Sequence, residues 1–348
     1  MEAVYQLSED TLRWLLAPDE PGPRYLALRD LLRLPADDPE LRLARQAAHA
    51  NGPIATILAQ MEPTGFWAAP GPGYNPKYRS TVWSLIALAQ LGTSSREDAR
   101  IERACSYVLE HALTPGGQFS ASGAPSGTAD CLQGNLCWAL LTLGCEPERL
   151  AAAMTWMVRS ITGEGVAPRS DTHAPVRYYA GKCGPGFACG ANNQLPCAWG
   201  ATKVMLALSA WPADRHTLLI TRAIAQGVEF LLGVDPATAA YPCGYSDKPS
   251  RNWWKFGFPV FYVTDVLQVV EALVALGHRA DPGLSGALAL IAEKGDQRGR
   301  WALEYEYGGK TWADFGLRGE PNKWVTIRAL RALGAVAPPE AGVVGAAA

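Results

Sequence analysis

The chain has 348 residues, 48% of them hydrophobic and 18% charged, enough to bury a substantial core and far from the composition of a disordered chain. With 31 basic against 33 acidic residues the formal net charge is −2, so no global field exists to gather nucleic acid or an acidic membrane surface. No apolar run approaches the roughly 20 residues that span a bilayer, and the N-terminus lacks a basic segment followed by an apolar core; a cytoplasmic protein with no transmembrane segment is expected.

The first helical pattern, RYLALRDLLRLP at 24–35, is weakly periodic. Four stronger segments end alike: STVWSLIALAQLG at 80–92, CLQGNLCWALLTLG at 131–144, FYVTDVLQVVEALVALG at 261–277 and NKWVTIRALRALG at 322–334. Each is an apolar run closed by Leu-Gly, and glycine there takes the left-handed conformation of a helix C-terminal cap at little cost. A further segment, LPCAWGATKVMLALSAWP at 195–212, stops on Pro212. Between these lie helices of another kind. In 96–113, Ile101, Ala104, Cys105, Val108 and Leu109 form one apolar stripe; in 215–233, Ile220, Ala223, Ile224, Gly227 and Leu231 do the same. Helices that are apolar all round must be buried, and the striped ones must cover them.

About six such pairs predict an all-α fold, an α/α-toroid in which inner and outer helices close into a ring as one domain over 1–335. Closure is favoured over an open superhelix because the last strong helix is as repeat-like as the middle ones, whereas a solenoid needs capping ends. The segment 336–348 reads as a tail.

Several outer helices run into a Gly-aromatic turn, seen most clearly in ILAQMEPTGFW at 57–67, with degenerate copies at Gly117-Gln118-Phe119 and Gln297-Arg298-Gly299-Arg300-Trp301. The glycine permits the turn, the ring packs on the helix end, and the Gln is expected to cap backbone groups. This signature resembles the Gln-Trp repeat of squalene-hopene and oxidosqualene cyclases, in the superfamily that includes the protein prenyltransferase β-subunits. The resemblance implies an enzyme or enzyme-like protein holding an isoprenoid-like apolar molecule in a central cavity. Neither branch's catalytic device is present: there is no Asp-x-Asp-Asp motif, Asp130 and Cys131 are adjacent rather than spaced as Asp-x-Cys, and Val263 stands where the zinc histidine would be.

The inner-helix starts collect the candidate binding residues: Trp83, Gln133, Asn135, Asn193, Trp254, Phe258, Tyr262, Lys323 and Trp324. Asp265, at i to i+3 from Gln268 on an otherwise apolar stretch, is the candidate acid or base, or else an ion-pair partner of Lys323 or Arg79. Asp130 is a second candidate carboxylate. Cys183, Cys189 and Cys197 share a Gly- and Asn-rich loop and Cys243 follows in another; four thiolates would make a zinc site, although the spacings match no familiar zinc module. Alternatively Cys197, at a helix N-terminus, is a nucleophile with His173 as its base. A non-catalytic lipid- or peptide-binding scaffold, or small buried cysteines in a tightly turned loop, are the remaining readings.

Overall fold

A computed structural model describes residues 5–174, 176–178 and 181–336, and among them extended pairing is limited to isolated bridges. Thirteen α-helices occur in the described residues: α1 Glu9–Leu15, α2 Pro21–Leu26, α3 Pro39–Ala50, α4 Pro53–Ala59, α5 Thr81–Gln90, α6 Ala99–His111, α7 Asp130–Thr142, α8 Pro147–Thr162, α9 Ala198–Ala210, α10 Leu218–Leu232, α11 Val266–Ala275, α12 Ser285–Glu293 and α13 Lys323–Leu333. Helix α2 runs on through a π-helical turn, Ala27–Leu31. Apart from Val336, the segment 336–348 lies outside the described residues.

The α/α-toroid is present. Helices α5, α7, α9, α11 and α13 pack in succession, α13 packs on α2 and its π turn, and Tyr25 Oη, donating to the Gly92 carbonyl at 3.4 Å, joins α2 to the end of α5. These six form the inner layer, and α1, α3 with α4, α6, α8, α10 and α12 precede them as the outer one. The periodicity carries through to burial: α5 is buried at every position from Thr81 to Ala89, whereas α6 buries Ile101, Ala104, Cys105, Tyr107 and Val108. The Leu-Gly ends behave as expected, with φ of +79° at Gly92, +94° at Gly144, +90° at Gly277 and +57° at Gly334. Chain ends complete the closure. Leu7 donates to the Val336 carbonyl at 3.2 Å and Val336 to that of Tyr5 at 3.1 Å.

The Gly-aromatic turns lock each outer helix to the next inner one. Trp67 and Trp301 are fully buried; their indole N–H groups donate at 2.7 Å to the carbonyls of Ile57 and Ile291. Their backbone N–H groups reach Thr81 and Thr326 hydroxyls on the following inner helix. At the third copy Phe119 N–H donates to Gln133 Oε1 at 2.7 Å. The capping expected of the repeat glutamines falls to these inner-helix side chains instead, since Gln60 and Gln297 are exposed.

The tightest inner contact is between α7 and α9. A Cβ added at Gly134 would lie 2.4 Å from the Lys203 carbonyl carbon and 2.5 Å from Val204 N. Alanine would raise helix propensity by about 1 kcal/mol, but backbone cannot yield as a flexible side chain does, and overpacking costs roughly 1–3 kcal/mol or more. Gly134→Ala is therefore expected to lower the urea midpoint with the slope unchanged; an equal or higher midpoint would show that the two helices can part freely.

Candidate functional site

One end of the ring, at the N-terminal ends of the inner helices, is sealed by aromatic rings. Tyr78 sits at its centre, with ring centroids 4.4 Å from Tyr307, 5.4 Å from Trp83 and 5.4 Å from Phe261. Trp83 is buried edge-on to Phe261 and donates to the Tyr74 carbonyl at 2.7 Å. Tyr262 is half-buried, with its hydroxyl 3.3 Å from that of Tyr78 and the Lys77 ammonium 4.9 Å over its ring. Behind this seal, Phe258 stacks on Trp324 at 4.9 Å and meets Phe315 edge-on.

Other predicted lining residues serve the walls. Gln133 donates to the carbonyls of Gly117 and Ala153, towards the outer layer. Asn135 donates to the Phe261 carbonyl, and Trp254 to that of Ala237. Lys323 is buried against Glu20 at 2.9 Å and Asp19 at 3.4 Å, on the side of the first hairpin. Asn193 is exposed. An open apolar lumen for a polyisoprenoid is not what these side chains build.

Asp265 is not a lone carboxylate. It caps α11, accepting from Gln268 N–H at 2.7 Å, and its partner is Arg328, rather than Lys323 or Arg79. The Arg328 guanidinium reaches Asp265 Oδ1 and Oδ2 at 3.1 Å each, Glu271 Oε2 at 2.6 Å and the Gly257 carbonyl at 2.7 Å. Burial opposes the charge on Arg328, but the two carboxylates outweigh it and raise its pKa. Asp265, expected as an acid or base, is thus one half of a buried ion pair. Beside this group the Lys203 ammonium donates to Gln268 Oε1. Lys203 is fully buried, and burial pulls its pKa down to about 7 against the opposing pull of Asp265.

Of these groups Gln268, Glu271 and Arg328 line a cavity of ≈320 Å3 in the lumen, to which all six inner helices contribute. Phe258 and Val260 close its floor, the latter held by Gln90 through two hydrogen bonds of 2.8 Å. Leu206, Val274 and the half-buried Trp138 make an apolar wall; Arg29, Gln268, Glu271, Arg328 and Arg331 make a polar one. At the rim, Arg29 and Arg331 share a single carboxylate, Asp30, at 2.6 and 3.2 Å, and Arg331 Nε is buried without a partner. Glu271, Arg328 and Arg331, which line the cavity, carry a signal in the sequence: with Lys203 and Lys323 they are the charged residues on helices α9, α11 and α13, which are otherwise largely apolar.

The cysteine loop forms a separate group. Among the described residues no set of three or more His, Cys, Asp or Glu side chains is arranged to hold a metal ion, and Cys243 is exposed, so the four-thiolate zinc set of Cys183, Cys189, Cys197 and Cys243 is not assembled. His173 is exposed in a turn made by Asp171, which accepts its backbone N–H at 3.1 Å; among the described residues no hydrogen bond joins its imidazole to Cys197. Asp130 is buried, and burial, then the nearby Cys189, raises its pKa well above the usual carboxylate range. Its Oδ2 has no partner.

No family model matches the sequence, and no curated protein matches it. Among solved structures, an unsaturated glucuronyl hydrolase specific for heparin shares 11% identity with a TM-score of 0.48, over 95% of this chain and 90% of that one. The resemblance to terpene cyclases and prenyltransferase β-subunits is overturned. Neither a family model nor a curated relative carries it, and the lumen is charged and aromatic-sealed where an isoprenoid chain would need an apolar tunnel. No helix among the described residues is long and apolar enough to cross a membrane.

Proposed function

We propose that the protein binds a small organic acid in the lumen cavity, with the carboxylate at the rim and hydroxyl or amino groups pointing inwards. The observation that carries this is the pair of guanidiniums sharing one carboxylate at the mouth: Arg29 and Arg331 both meet Asp30, Arg331 Nε is unpartnered, and the carboxylate pair of Asp265 and Glu271 is taken up by Arg328. Deeper in, Gln268 and Glu271 offer acceptors to donor groups on a ligand. Trp138 supplies a flat apolar face, and the volume falls at the lower end of that of small-molecule sites. A charge-assisted bond in a partly desolvated rim is stronger than the same contact in water.

The test is calorimetric titration with glucuronate, quinate and glutamate, each against its uncharged ester or amide. At least one acid is expected to bind more tightly than its neutral form, and Arg331→Gln to weaken it about tenfold, equivalent to about 1.4 kcal/mol. Equal affinity for acid and neutral forms, or binding indifferent to Arg331→Gln, would overturn the assignment.

A further inference from the structure

The charges around the lumen cavity balance as a whole and are segregated by depth. At the mouth, the guanidiniums of Arg29 and Arg331 flank the single carboxylate of Asp30. One turn deeper along α13, roughly 4.5 Å by helix geometry, the ratio is reversed: Asp265 and Glu271 flank the single guanidinium of Arg328. Three cations thus meet three anions, with the positive excess outside and the negative excess inside. Two neighbouring cations leave this pattern in place. Arg279 is engaged by the Ala332 and Leu333 carbonyls, the negative end of α13. Burial brings the Lys203 amine, which sits against Gln268, down to about 7, so that it is mostly neutral at pH 8.

Of the inner charged side chains, Glu271 is the one a ligand can reach. Its side chain is 20% exposed, against 5% for Asp265 and 4% for Arg328. Glu271 Oε1 accepts one bond, from Arg328 Nε at 3.1 Å, and a carboxylate oxygen has room for a second. An ammonium suits that place better than a hydroxyl, because a bond with both partners charged is roughly twice as strong as a neutral one. The wall made by Trp138, Leu206 and Val274 adds an apolar surface beside these two charged zones.

We propose that the ligand of this cavity is an amino acid with an apolar side chain. Its carboxylate lies at Arg29 and Arg331, its ammonium on Glu271 and its side chain against Trp138 and Leu206. This rests on the small-acid reading of the cavity and narrows it. A zwitterion answers both local excesses and adds no net charge to a balanced site. A hydroxy acid answers the outer excess and leaves the inner one standing.

Two triads test this by calorimetric titration at pH 8: phenylalanine with 3-phenyllactate and phenethylamine, and leucine with 2-hydroxy-4-methylpentanoate and 3-methylbutylamine. In each, the second compound has a hydroxyl in place of the ammonium and the third lacks the carboxylate. In at least one triad the amino acid is expected to bind about tenfold more tightly than either analogue. Glu271→Gln should weaken the amino acid about tenfold and leave the hydroxy acid within about twofold, so that the preference disappears. Circular dichroism checks that this variant is folded, and the comparison within each triad, made on the parent protein, stands without it. A hydroxy acid that binds as tightly as its amino acid, both above the amine, overturns this inference and leaves the small-acid reading in place. The same holds if neither amino acid binds while glucuronate or quinate does. An amine that binds as tightly as its amino acid overturns both.

Discussion

Arg328→Met is expected to lower the unfolding free energy by about 3–5 kcal/mol, the cost typical of removing one partner from a buried ion pair. The substitution roughly conserves volume, so the loss is electrostatic. It strands Asp265, 4% exposed, and partly buried Glu271, and it removes the donor to the Gly257 carbonyl. The whole fork of the guanidinium is in use: Nε faces Glu271, one terminal nitrogen faces Asp265 and Gly257, and the other spans both carboxylates. Lysine has the charge without the fork, so Arg328→Lys should recover only a minor part. Adding Asp265→Asn to Arg328→Met should recover more, because it removes one of the stranded charges while an amide oxygen can still cap α11. Chemical denaturation of the two single variants and the double variant forms a cycle whose coupling energy measures the pair. A loss below about 1 kcal/mol for Arg328→Met would mean that water reaches the lumen floor and screens both carboxylates.

The same residue shows where sequence reading stopped. The ring was legible because its causes are local and repeated: helices apolar all round, Leu-Gly ends that need positive φ, and Gly-aromatic turns such as Gly65-Phe66-Trp67. The Asp265 side chain was legible as an anomaly on an apolar stretch, but its partner was not. Arg328 lies 63 positions away, and only the closure of α11 against α13 brings the two together. The aromatic residues before α11 were readable as dense, but whether they line a lumen or fill it depends on how Tyr78, Trp83 and Tyr307 meet them across the ring. The isoprenoid expectation failed for that reason. It borrowed chemistry from a turn motif whose physical work, in Trp67 and Trp301, is to pin outer helices to inner ones. Cysteine spacing was uninformative for a similar reason, since the fold-back of 187–189 on 195–197 is fixed by backbone bonds and not by sequence interval.

Lys203→Met should change the pH dependence of stability. The folded-state pKa of Lys203 lies near 7, below the ordinary 10.5, with burial as the leading cause. Between those two values the unfolded chain carries a proton that the folded chain lacks, so unfolding takes up protons and stability rises with pH, by at most about 1.4 kcal/mol per unit from this group. The penalty is fully present below pH 7 and is relieved as pH rises towards 10.5, a span worth something of the order of 4 kcal/mol. Methionine, of similar length and uncharged, removes it. It also takes the donor away from Gln268 Oε1, leaving a buried acceptor unsatisfied at a cost of about 1–3 kcal/mol. The two effects have opposite sign and different pH dependence. Lys203→Met is thus expected to be more stable than the parent at pH 6 and to lose that advantage steadily, becoming the less stable protein near pH 10. Cys131, pushed up to about 11 chiefly by burial and held down in part by Lys203, titrates differently in the two proteins, so the Lys203 contribution is read from the difference between the two denaturation curves below pH 9. Parallel curves from pH 6 to 10 would mean that the amine keeps its proton on folding, held by Asp265 strongly enough to offset its burial.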